Sequence, residues 1–371
     1  MRAIRLLCLV CCLAAANAAH AVEPTKLDVF QADTAGYQTY RIPGVVVTKR
    51  GTVLVYCEAR KSAKSDWGTI DVMLRRSTDG GATFDAPRRI VEPPKETGVT
   101  VNNPLAIADA VSGVVHMVYC FDYARCFYIR SVDDGVTFSK PVEITSAFEQ
   151  LRPRFDWKVI ATGPGHGLRL KSGRLLVPVW LAVQHSHRPS CVATIYSDDD
   201  GKTWHAGDIV ATHTKETPNP SETVAAELSD GRVLLNIRNE SPSHHRLIAT
   251  SKDGSTGWTK PVFDENVFDP ICMASLARAG DALVFANPAG DGKSKARREL
   301  TLRLSHDDGK TWPDKRLLEP GIAAYSDLAT LPDGKVLCLY ECGGVNDQQF
   351  YTRTLRLAKF DPSWITAGDG K

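Results

Sequence analysis

The octapeptide SDDDGKTW, Ser197 to Trp204, decides the fold because it does not stand alone. STDGGATF begins at Ser77, SVDDGVTF at Ser131, SKDGSTGW at Ser251 and SHDDGKTW at Ser305. Four of the five follow Ser-x-Asp-x-Gly-x-Thr-(Trp/Phe). The copy at Ser251 departs, with Ser255 and Gly257 where Gly and Thr are expected. Each unit reads as a hairpin turn: the aspartate accepts hydrogen bonds from its own backbone, the glycine permits a positive φ, and the aromatic anchors the turn in the core. A calcium loop is set aside, because the alternating acids and distant glutamate of an EF-hand are missing.

Between the turns lie short Val/Leu/Ile-rich runs such as GRLLVPVWL, GRVLLNIR and GKVLCLYE, and no convincing long amphipathic helix. Each interval holds about four strands, the content of one propeller blade. The whole chain then predicts an all-β, six-bladed β-propeller, with five recognisable turns and one degenerate blade. A β-sandwich would lack so regular a repeat, and the coils of a β-helix are shorter.

The 371 residues carry a formal net charge of +2, which gives no reason to expect nucleic acid or an acidic membrane as partner. Residues 1–21 read as an export signal: Arg2 and Arg5, an apolar stretch too short to span a bilayer, then an Ala19-His20-Ala21 cleavage site. Residues 22–371 are expected to form one catalytic domain, secreted or periplasmic. Its seven cysteines do not make a disulfide scaffold, and Cys120 with Cys126 is the only pair to test for a bridge. No Cys/His cluster has zinc-site spacing, so no metal or organic cofactor is expected.

YRIP at Tyr40 to Pro43, combined with these repeats, resembles the exo-α-sialidases (neuraminidases) from about Leu27 to Ala358. The resemblance implies a six-bladed propeller and retaining hydrolysis of terminal α-linked sialic acids. It implies an arginine triad, Arg41, Arg238 and Arg297, gripping the substrate carboxylate as only a guanidinium fork can. Arg298 is the fallback for the third. Asp66, in KSAKSDWG, matches the acid/base residue and needs a raised pKa to act as an acid near neutral pH, supplied by closure over substrate. Arg60 resembles the arginine that contacts a substrate hydroxyl. Tyr325 matches the nucleophile, Glu222 the base beside it and Glu341 the partner of Arg41.

TGPGHGLRL, Thr162 to Leu170, resembles a Gly-rich turn near the site, and Trp157, Phe121 and Tyr123 are candidates for an apolar wall around an N-acyl group. Sialylated glycoproteins, glycolipids or oligosaccharides are the implied substrates. Alternatives remain open at this point: a hydrolase of another 2-keto sugar acid, a trans-sialidase, or a non-catalytic glycan-binding propeller. Asn239-Glu-Ser is the only N-glycosylation sequon, and a glycan there would obstruct Arg238.

Overall fold

A computed structural model describes residues 22–92 and 99–367. The proposed export signal, residues 1–21, lies outside them. The described chain is all-β, with helix only at Thr145–Glu149 and Ser363–Thr366. No described helix is long and apolar enough to cross a membrane.

Antiparallel strands follow one another in groups of four. The first group is Thr39–Val47, Val53–Arg60, Ile70–Ser77 and Arg88–Arg89. The second runs Val101–Ala108, Val115–Phe121, Arg125–Ser131 and Val142–Glu143. The third is Val159–Thr162, Leu175–Ala182, Ser190–Ser197 and His205–Thr212; the fourth is Thr223–Glu227, Val233–Ile237, His245–Ser251 and Val262–Phe268. The remaining strands form one seven-stranded sheet, from Ser275–Ala279 through Ala282–Pro288, Arg298–Ser305, Asp314–Thr330, Val336–Val345 and Gln348–Phe360 to Thr25–Gln31.

Hydrogen bonding therefore gives five sheets where the repeat predicts six blades. The reason is the long strand Asp314–Thr330. Its first half pairs with Arg298–Ser305, up to Ile322, and its second half, from Ala323, pairs with Val336–Val345. The arrangement is propeller-like. The first strands of successive groups pack side by side around an axis, and Thr39–Val47 closes the ring against Asp314–Thr330. Thr25–Gln31 pairs with Gln348–Phe360, so the two ends of the described chain share one sheet.

The core lies between successive groups of strands. One cluster, for example, joins Leu54 and Val72 of the first group to Val101 and Met117 of the second. The repeated turns all leave the third strand of a group, and their hydrogen bonds repeat. At Ser305, Oγ donates to Asp307 Oδ1 (2.8 Å) and accepts from Gly309 N (2.8 Å), while Thr311 N and Oγ1 donate to the same aspartate at 2.9 and 2.7 Å. The turn at Ser251 closes the same way one residue earlier, with Gly254 N on Ser251 Oγ (3.1 Å) and Thr256 N and Oγ1 on Asp253 (2.8 and 3.2 Å). All seven described cysteines are buried and free. Cys120 and Cys126, the pair singled out for testing, face each other across neighbouring strands without a bridge.

Candidate active site

Strands alternate in direction, so one end of the ring gathers the starts of first and third strands and the ends of second strands. Arg41, Asn103 and Tyr325 come from first strands; Arg60 closes a second strand, Glu341 lies in the latter half of another, and Arg238 directly follows a third. Asp66, His187 and Arg297 lie within four residues before third strands. Three first strands carry a register shift at the same level: between Arg41 and Gly44, Asn102 and Leu105, and Ala323 and Ser326. Such bulges re-aim side chains. Within two of them Ile42 (φ 58°) and Asn103 (φ 51°) adopt left-handed backbone, a strained state for a β-branched residue.

All of these but Glu341 line a cavity of about 540 Å³, Tyr325 among them. The phenol donates to Glu222 Oε1 (2.5 Å) and accepts from Arg238 Nη1 (2.8 Å). Arg238 is also ion-paired to Glu222. The guanidinium groups of Arg41 and Arg297 lie 5.2 and 5.3 Å from the centre of the same ring, so three arginines from three groups of strands meet on one tyrosine. Burial and the Glu222 charge push the phenol pKa well up against the opposing arginines, so the free protein keeps its proton on.

Arg41 is held by a two-point contact, Nε to Glu341 Oε1 at 3.0 Å and Nη2 to Oε2 at 3.3 Å. The same carboxylate accepts Ile42 N (3.1 Å), which ties down the strained turn. Glu341 is 1% exposed and Arg41 7%. Paired on one side only, this arginine can sit at a partly buried strand end. Arg297 is buried and donates to Ile271 O (2.9 Å), while Arg298 is exposed on the other side of its strand. The register therefore selects Arg297 for the cavity, and the fallback is not needed.

Arg60 bridges two acids. Its Nε and Nη2 donate to Glu58 Oε2 (2.9 and 2.6 Å), and Nη1 donates to Asp66 Oδ1 (2.6 Å). Partial burial raises the Asp66 carboxyl, but the Arg60 and Arg41 charges outweigh it and hold its pKa below the usual aspartate value. The expected raised pKa is therefore absent from the ligand-free site. The cause is the contact to Arg60.

Among the apolar candidates only Tyr123 lines the cavity. Trp157 is core, its Nε1 bonded to Phe148 O (3.0 Å), and Phe121 packs edge-on against Tyr119 and tilted against Phe127. The Gly-rich turn is also displaced from the site. Its His166 pairs with Asp327 (2.7 Å) and lines a separate pocket lower in the ring. Asn239 is buried, donating to His245 O (2.8 Å) and accepting from Ser241 N (2.9 Å), so the sequon is engaged in packing. Among the described residues no group of three His, Cys, Asp or Glu could hold a metal ion.

Comparison with known proteins agrees with this geometry. The BNR repeat-like domain family matches residues 68–338. The chain belongs to this BNR-repeat, sialidase-type family. Similar curated proteins include a sialidase of Micromonospora viridifaciens, 30% identical across 92% of this chain, and one of Bacteroides fragilis, 29% identical across 81%. The chain spans 54% and 60% of those two relatives. Among solved structures, the Hadza microbial sialidase Hz136 superposes with a TM-score of 0.78 at 25% identity, covering 92% of this chain and 69% of that one. The intramolecular trans-sialidase of Ruminococcus gnavus gives 0.75 at 16% identity, covering 91% and 98%, a likeness of fold alone.

Sequence reasoning missed several residues that line or support this cavity. Glu58, fully buried, anchors Arg60 and accepts Asn103 N (2.8 Å). Its signal was available: Glu58 and Arg60 are two apart on one strand and so share a face. Trp180, His187, Asn103, Gln349 and Phe350 also line the cavity, from loops and strands with no local motif. Trp180 Nε1, His187 Nε2 and Arg238 Nε are buried without a hydrogen-bond partner. Three such groups around one cavity fit a polar ligand.

Proposed function

We propose that the chain is a secreted or periplasmic exo-α-sialidase, hydrolysing terminal α-linked sialic acids of glycoproteins, glycolipids or oligosaccharides with retention of configuration. The observation that carries it is the convergence of Arg41, Arg238 and Arg297 on a tyrosine already bonded to a glutamate. The arginines orient the sugar by its carboxylate. Tyr325 Oη attacks the anomeric carbon as its proton passes to Glu222, and Asp66 protonates the departing glycosidic oxygen. Water then gives a proton to Asp66 and attacks the same carbon. The bond to Tyr325 breaks, and the phenol recovers its proton from Glu222. A neutral phenol suits this carbon because a carboxylate nucleophile would be repelled by the carboxylate the sugar carries there. Arg60 both restrains Asp66 and faces a sugar hydroxyl.

The same reading takes residues 1–21 as an export signal and 22–371 as one catalytic propeller of six blades. Two observations support six. The strand Asp314–Thr330 serves two four-stranded groups, and six hydrophobic clusters alternate with the groups around the ring. The test is release of 4-methylumbelliferone from its α-N-acetylneuraminic acid glycoside. Wild type should turn over, and Tyr325→Phe should lose roughly 10³-fold or more in kcat. Equal turnover by the two proteins would remove Tyr325 from the mechanism.

A further inference from the structure

Beside the cavity lies a second groove of about 670 Å³, and the two share Arg297 and Gln349. The wall between them is Gln349 with Phe350, fixed by Arg297 N donating to Gln349 Oε1 (2.8 Å). Glycines at 321, 343 and 344 line the groove and leave it open. Its charge is one-sided. Arg298 reaches it from the strand neighbour of Arg297, and Arg353 lies over Gly343 and reaches only Gly344 O (3.4 Å). Lys295 stands at the cavity rim nearby. Among the described residues none of Lys295, Arg297, Arg298 and Arg353 forms an ion pair, and Asp347 is the one carboxylate lining the groove. Clustered cations that outnumber the one carboxylate beside a substrate mouth attract anions.

We propose that this groove is an anionic aglycone subsite, which takes the carboxylate of a second sialic acid and makes oligosialyl chains the preferred substrates. The inference rests on the sialidase reading. The terminal sugar bears its carboxylate and its glycosidic oxygen on one carbon, so with that carboxylate on the three arginines the next sugar leaves through the mouth that Arg297, Gln349 and Phe350 border. Phe350, 52% exposed and 4.8 Å from the Arg297 guanidinium, offers that sugar an aromatic face to cross. A sulfate ester on the next sugar would supply the same charge.

The experiment compares kcat/KM for an α-linked disialyl lactose, a monosialyl lactose and a sulfated monosialyl glycan. Wild type should favour the disialyl substrate about ten-fold over the monosialyl one at low salt. Arg298→Gln, and Gly321→Glu at a position where a Cβ meets no atom within 4 Å, should bring that ratio close to one while leaving monosialyl turnover unchanged. About 0.5 M salt should do the same to wild type. A ratio near one in wild type, or variants that slow both substrates alike, overturns the inference. A gain confined to the sulfated glycan overturns the assignment to a second sialic acid. The same ratio measured as Kd on Tyr325→Phe needs no turnover. An inactive wild type would therefore count against the sialidase reading, and the groove would still be judged by its own ratio.

Discussion

Asp66 is where free and occupied states differ most. In the free protein the arginines hold its pKa down, so the acid form needed for protonation is scarce at neutral pH. A bound sugar carboxylate offsets Arg41 and its ring covers Asp66, and both effects raise the pKa. The basic limb of kcat/KM, which reports the free enzyme, should therefore lie at lower pH than the basic limb of kcat, which reports the complex. Coincident limbs in a pH–rate series would refute this. Glu341→Gln removes the charge that fixes Arg41 and leaves the guanidinium half-paired in a buried place. We expect kcat/KM to fall about 30-fold (~2 kcal/mol), mostly through KM. The proposed catalytic residues were legible because each sits in a local motif. Asn103 and His187 were not, because what makes them part of the site is a neighbour brought in by folding; Glu58 was readable only through Arg60, two residues on.

The turns show why a repeat can be read so early. Each is closed from within by a serine, an aspartate and a glycine, and so is specified by eight consecutive residues. Its aromatic does longer-range work than the sequence suggested. Phe138 packs in the cluster shared with the first group of strands, Trp204 in that shared with the second, and Trp312 in that shared with the fourth. Each is wedged against the preceding group. The last group has no such turn because its fourth strand, Thr25–Gln31, is the first of the described strands, so no turn leads on from Phe360 to it. Trp364 fills the corresponding cluster from a short helix instead. Ser305→Ala should cost about 1 kcal/mol in urea denaturation by removing two hydrogen bonds of a buried hydroxyl. Hydrogen bonds from Thr137 and Thr203 hold Asp133 and Asp199 down to about 2. Depressed carboxyls stabilise above their unfolded pKa near 4 and stop doing so as pH falls through the folded value. Urea midpoints should accordingly drop between about pH 4 and pH 2, and a flat profile would refute it.

At the scale of the molecule, the spacing of the turns exposed an all-β ring with converging strand ends. The sharing of one long strand by two groups was hidden, because Asp314–Thr330 bends from one partner to the next without any break in composition. The groove beside Arg297 was hidden for another reason: adjacent arginines on one strand have opposite fates, which only the register decides. The closure of the ring also bears on how the molecule comes into being. Arg356 grips Asp28 at 2.6 Å across 328 positions of sequence. Thr25–Gln31 thus has no partner until Gln348–Phe360 has been made, and closing so long a loop precedes any reward from the contact. Until both of these strands are present the ring is open, so its closure belongs to the end of folding rather than to its start.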